Sequence, residues 1–136
     1  MTSIERMLNY TKLEQEAELK LPADEQVPTG WPSQGCIEFK DVKFRYRKEL
    51  DNTLKGIDLV IEGGKKVGCC GRTGAGKSSM IQAIFRMCEL SGGKIEIDGV
   101  DCSNLGLNFL RKNLSIIPQT PVMFIGTIRY NIDPLS

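Results

Sequence analysis

The chain has 136 residues, a formal net charge of +1, five cysteines and no histidine. That length bounds it at one domain or less, and a charge so near zero argues against a nucleic-acid or membrane-surface role driven by bulk charge. The lack of histidine removes any imidazole acid, base or sensor, and the lack of a run of about 18 apolar residues leaves no membrane span within these residues.

At the N-terminus, Thr2 to Glu5 has the form of a capping box, and Ile4, Met7 and Leu8 follow at helical spacing. This predicts a short amphipathic helix from about Ser3 to Leu13. Charged Glu5 and Arg6 interrupt any apolar core there, so the pattern is not that of a signal peptide. The acidic run Glu14 to Glu18 and then Pro22, Pro28, Gly30 and Pro32 predict a solvated linker. Residues 1–34 are therefore read as helix and linker, and 35–136 as the folded part.

In the folded part, Ile37 and Phe39 alternate with charged residues, and Val42, Phe44 and Tyr46 alternate in the opposite phase. The slip at Asp41–Val42 predicts a bulge or a break between two strand segments. Glu49 to Asn52 is turn-like, and Leu54 to Ile61 reads as the return strand, stopped by Gly63–Gly64. An antiparallel β-layer is expected before residue 65.

Lys65 to Cys70 reads as a short, mostly apolar strand entering a buried sheet. It leads into Gly71-Arg72-Thr73-Gly74-Ala75-Gly76-Lys77-Ser78, which has the form G-x-x-x-x-G-K-[ST]. The three glycines let the backbone curl with its N–H groups inward, and the mouth of a helix beginning near Gly76 adds a favourable dipole. Lys77 adds a point charge for the β- and γ-phosphates, and Ser78 a hydroxyl for Mg²⁺. The helix shows in Met80, Ile81, Ile84 and Phe85, spaced as a stripe. A glycine-rich turn that happens to precede Lys-Ser is the plain alternative, and the strand before and helix after weigh against it.

Beyond the loop helix, Gly93 to Ile97 predicts a strand closed by a turn at Asp98–Gly99. Leu107, Leu110 and Leu114 predict a short helix leading to the apolar strand Leu114 to Ile117, ended by Pro118, and Thr127 is the expected cap of a further helix. Cys36, Cys69, Cys70, Cys88 and Cys102 lack metal-ligand spacing and are odd in number, which reads as reduced thiols in a cytosolic environment.

From about Gly35 onward the residues resemble the nucleotide-binding domain of ATP-binding-cassette (ABC) transporters. The match is nearest the second such domain of the C subfamily, the multidrug-resistance-protein group. It is carried by Phe44-Arg45-Tyr46-Arg47, the loop from Val67 through Ser79, Ile95 to Gly99, Ser115 to Pro121, and Gly126 to Pro134. The Ile4 to Met7 helix and Gly30-Trp31-Pro32 look like the segment joining the last membrane helix to that domain. The resemblance implies an α/β P-loop NTPase fold, here incomplete, with an antiparallel β-layer. It implies ATP and Mg²⁺ as cofactors, with Gly71, Arg72, Thr73, Gly74, Ala75, Gly76, Lys77, Ser78 and Ser79 around the phosphates. Tyr46, by itself an ordinary strand aromatic, looks like the residue that stacks on adenine. Gln119, by itself a surface turn, looks like the glutamine that ligates Mg²⁺ with Ser78, approaches the attacking water and reports nucleotide state. The implied partners are transmembrane domains and a second nucleotide-binding domain, at the cytoplasmic face of a membrane.

Two look-alikes are declined. Leu90 to Lys94 resembles the family's LSGGQ signature but lies 13 residues after Lys77 and ahead of a strand. Ile95 to Asp98 resembles a Walker B strand, but Glu96 interrupts it and a turn glycine follows. After Gln119 there is no signature, no apolar strand ending in Asp-Glu and no switch histidine, so these residues are expected to be the N-terminal half of a larger domain. Such a chain would cradle nucleotide with negligible turnover. In this fold the strand before the loop is central, and its unpaired edges would favour aggregation. The two other readings are a non-catalytic nucleotide-binding module and a small P-loop kinase, although no acceptor site or arginine lid follows residue 90.

Overall fold

The computed structural model describes residues 3–13, 15–118 and 120–134. Thr2 of the proposed capping box and Gln119 lie outside them. Four strands form one antiparallel sheet, β1 (Ile37–Phe44), β2 (Leu54–Ile61), β3 (Gly92–Ile97) and β4 (Val100–Asp101), in the order β2-β1-β3-β4. Four helices are present among the described residues: α1 (Ser3–Thr11), α2 (Lys77–Ile84), α3 (Leu107–Lys112) and α4 (Ile128–Ile132).

The phase slip in β1 is a bulge. Phe39 pairs with Leu59 and Val42 with Ile57, so three steps on β1 oppose two on β2, and Asp41 takes a φ of 47°. Its N–H is held by the Asp58 carboxylate at 2.8 Å. The extra residue turns Val42 and Phe44 back to the face that Phe39 occupies, and all three are buried with Leu54, Ile95 and Ile97. The 3₁₀ turn Cys102–Asn104 and α3 close that core through Cys102, Leu105 and Leu110. Burial, with nearby Asp101 adding to it, pushes the Cys102 thiol up to about 12, so it stays protonated.

The linker expectation is corrected by Trp31. Its ring is buried, stacks on Phe109 at 5.7 Å and 21°, and its indole N–H donates to the Ile97 carbonyl at 2.9 Å. Upstream, Leu107 and Asn108 donate backbone N–H groups to Glu18 and Leu19, and the Asp24 carboxylate accepts from Gly106. Residues 18–31 are thus strapped across the start of α3. The apolar stripe of α1, by contrast, is exposed at Ile4, Met7 and Leu8.

The turn at Asp98–Gly99 does more than reverse the chain. Asp98 sits at φ 48°, and its carboxylate accepts from the backbone N–H groups of Gln34, Gly35 and Cys36 at 2.7–3.1 Å. Desolvation pushes this carboxyl up, but those N–H donors outweigh it and hold it below its ordinary value of 3.8. A depressed carboxyl stabilises the fold above its unfolded-state value and ceases to do so as pH falls through the folded one. Asp98→Ala is therefore expected to cost about 1–2 kcal/mol at pH 7. In urea titrations that difference should shrink below about pH 3.8; a pH-independent difference would count against the clasp.

Two expected strands are not formed. Lys65–Cys70 has no strand pairing among the described residues and is exposed throughout, with Val67 at 59%. Leu114–Ile117 is likewise unpaired, with Ile117 at 92%. Both sequences are apolar enough for a parallel sheet, but such strands need neighbours on both sides and both faces covered. Among the described residues neither finds them. In α2 the expected stripe holds at Met80 and Ile84, which pack against the core, and at buried Phe85, while Ile81 is exposed and Ser79 and Ala83 share the inner face. The caps and turns fare better, since α2 starts beside Gly76 and the Thr127 hydroxyl accepts from Tyr130 N–H at 3.1 Å.

Candidate functional site

The curl of the phosphate loop depends on two left-handed glycines. Gly74 and Gly76 lie at φ 82° and 92°, a region L-residues seldom occupy. Gly76 is also a contact point, because a Cβ there would stand 3.0 Å from the Leu54 side chain at the head of β2. The loop is thereby seated on the sheet although the segment before it makes no strand. The first helical hydrogen bond of α2 is Met80 N–H to Gly76 O at 3.1 Å, which leaves the N–H groups of Lys77, Ser78 and Ser79 at the open helix mouth.

The Lys77 ammonium folds back over the loop and donates to the carbonyls of Gly71 at 2.6 Å and Arg72 at 2.8 Å. Its stem passes Gly71, where a Cβ would lie 3.9 Å from Lys77 Cδ. One cation is so held beside a turn of outward N–H groups, an arrangement that attracts polyanions. Thr73, Gly74 and Ala75 form the exposed rim, and Ser78 is exposed at the first turn of α2. A serine hydroxyl is a hard oxygen donor, so its chemistry fits Mg²⁺ beside a phosphate.

Ser79 is placed differently. It is only 3% exposed, and its hydroxyl is 2.7 Å from the Tyr46 hydroxyl. Its side chain therefore faces the sheet, and only its backbone N–H belongs to the helix mouth. Tyr46 follows β1, lies edge-on to buried Phe44 with ring centroids 5.2 Å apart, and is 42% exposed. The structure thus brings Tyr46 to the phosphate-loop helix. A cleft of about 540 Å³ also flanks Tyr46, between Arg45–Glu49 and Met87–Ser91, and no loop residue lines it. The Tyr46–Ser79 contact was missed from sequence; its one signal is that Ser79 and Ala83 share a helical face.

The declined look-alikes are accounted for. Gly92–Gly93 opens β3 and not a helix, and Glu96 is held by Lys40 and Lys94. The hydrogen bond from Lys40, more than that from Lys94, holds the Glu96 carboxyl below its usual range.

A family model described as ABC transporter matches residues 54–132. The chain is 53% identical over its full length to "ABC transporter C family member 8" of Dictyostelium discoideum, and 47% identical to "ATP-binding cassette sub-family C member 2" of Homo sapiens. It spans 8% and 9% of the length of those two proteins. Its fold is similar to a bacterial Atm1-family ABC exporter solved with ATP bound, with a TM-score of 0.77 and 30% identity over 95% of this chain and 22% of that one. Among the described residues no helix is long and apolar enough to cross a membrane. With its loop seated on an antiparallel layer and its sequence matched by that model over more than half its length, the chain belongs to the ABC transporter family.

Proposed function

We propose that these residues are the ATP-holding part of a nucleotide-binding domain of a C-family exporter. The observation that carries this reading is the Lys77 ammonium held by the Gly71 and Arg72 carbonyls beside the open N-terminus of α2. The open amides of the loop and of the helix mouth at Lys77–Ser79, together with the Lys77 ammonium, grip the phosphates, Ser78 meets Mg²⁺, and Tyr46 supplies a face for adenine. Gln119 lies outside the described residues, and its role toward Mg²⁺ and the attacking water rests on the resemblance. In the full-length protein the domain would work with transmembrane domains and a second nucleotide-binding domain at the cytoplasmic face of a membrane, coupling MgATP to export.

Calorimetric titration of the chain with MgATP tests this. Lys77→Ala removes a charge-assisted contact and is expected to weaken binding about 10- to 100-fold, with the fold kept by circular dichroism. Equal affinities for the two proteins would refute the assignment of Lys77.

A further inference from the structure

Two arginines tie the far end of the phosphate-loop helix to α3. Arg111, in α3, donates from Nε to the Phe85 carbonyl at 3.1 Å and from Nη2 to the Arg86 carbonyl at 2.8 Å, so it caps α2 at its last residue and the one after. Arg86 leaves the helix at a φ of 47° and sends its own guanidinium the other way, to the carbonyls of Cys102 and Leu105 ahead of α3 at 2.9 and 2.7 Å. Arg86 is buried and Arg111 is half-buried, with Glu16 at 3.4 Å from its Nη1. Charge-assisted bonds shielded from water in this way are strong and directional, and a cation there suits the negative end of the helix dipole. The near end of α2 is less able to set its direction: it is reached through left-handed Gly74 and Gly76, and within the helix only Ser79 and Ala83 are buried. With eight residues α2 is about 12 Å long, and a tilt of about 5° about its capped end carries the mouth about 1 Å. Hydrogen bonds from the open amides to a polyanion weaken over such a displacement.

We propose that Arg111 is a positioning residue for the phosphate site. By capping the far end of α2 from α3, it holds the open amides at Lys77–Ser79 and the Lys77 ammonium in line with a bound triphosphate. The inference rests on the reading of that helix mouth as the place where phosphates are held. Arg111 itself touches no ligand, so its effect is the same for a polyphosphate with a base and for one without.

The test compares calorimetric affinities for MgATP and for inorganic triphosphate in wild type, Arg111→Met, Arg111→Lys and Asp98→Ala, each with and without sucrose. Arg111→Met keeps an unbranched stem and removes every donor, whereas Arg111→Lys keeps the charge but not the planar fork that reaches two carbonyls. Arg111→Met is expected to weaken both ligands equally, by about 5- to 20-fold, and Arg111→Lys by about 2- to 5-fold. Asp98→Ala loses stability at a turn whose hydrogen bonds go to neither helix, and should bind both ligands within about twofold of wild type. Sucrose restores stability but is expected to leave the affinity of Arg111→Met low. Recovery in sucrose would mean that only the folded fraction had fallen, and would overturn the inference. A loss for ATP alone, full affinity in Arg111→Lys, or a loss in Asp98→Ala as large as in Arg111→Met would overturn it too. If circular dichroism shows Arg111→Met unfolded, Arg111→Lys decides by the same criteria. Wild-type binding of neither ligand would overturn the phosphate reading itself, whereas wild-type binding that no Arg111 substitution alters would overturn this inference alone.

Discussion

Gly93→Ala is expected to leave the sheet unable to form. Gly93 stands at φ 74°, and a Cβ there would lie 2.2 Å from the Asp41 carbonyl oxygen and 2.4 Å from that of Lys40. Both obstacles are backbone, and neither can retreat: they belong to the β1 bulge, where Asp41 is itself left-handed and its N–H is tied to Asp58. The bulge brings β1 against β3, and the hydrogen atom in place of a side chain at Gly93 is what lets it approach. Left-handed strain and a backbone clash together should cost more than about 4 kcal/mol, a large share of the roughly 5–15 kcal/mol that holds a domain folded. Gly92→Ala is the control, because its Cβ would meet only the flexible Lys43 side chain at 3.3 Å. Urea unfolding followed through the single tryptophan, Trp31, should therefore show a lost or strongly shifted transition for Gly93→Ala and a near-normal one for Gly92→Ala. Equal midpoints would mean that the bulge and Gly93 do not touch. The same geometry explains why Leu90 to Lys94 can spell a signature-like string without acting as one: its second glycine is a steric requirement of the sheet.

What the sequence discloses follows from where each element's determinants lie. The β1 bulge is legible because its cause is local: the apolar alternation reverses between Phe39 and Val42 within one strand. The phosphate loop is legible because glycine spacing dictates its backbone, and Gly74 and Gly76 take the left-handed values that spacing implies. Strand formation at Lys65–Cys70 and Leu114–Ile117 is not local. Val67 and Ile117 have strand-like neighbours in sequence, but a strand exists only where another chain segment accepts its hydrogen bonds, and both residues stand exposed. Ser79 hid for the opposite reason. A serine beside Lys-Ser reads as part of the polar loop, and only the rotation of α2 shows that it faces inward toward Tyr46. Composition assigned polarity correctly and direction not at all.

Trp31→Ala should give the second large loss, in a stretch whose prolines and glycine suggest a tether. Removing a buried tryptophan typically costs about 3–5 kcal/mol through lost transfer energy and the cavity left behind. Here two further terms act in the same direction. The Ile97 carbonyl loses its indole donor at 2.9 Å, and Phe109 loses the ring stacked on it. Because Ile97 is 66 residues away and next to the Asp98 clasp, the side chain joins the N-terminal strap to the sheet edge at a point where Asp98 already holds Gln34, Gly35 and Cys36. Trp31→Phe keeps a ring against Phe109 but not the N–H, and is expected to cost nearer 1–2 kcal/mol. Far-UV circular dichroism during urea unfolding reads all three proteins without relying on tryptophan emission. If residues 18–31 were a solvated tether, the alanine variant would match wild type to within about 0.5 kcal/mol, as surface substitutions do. A graded loss, alanine well beyond phenylalanine, is the outcome that a core residue with one specific hydrogen bond requires.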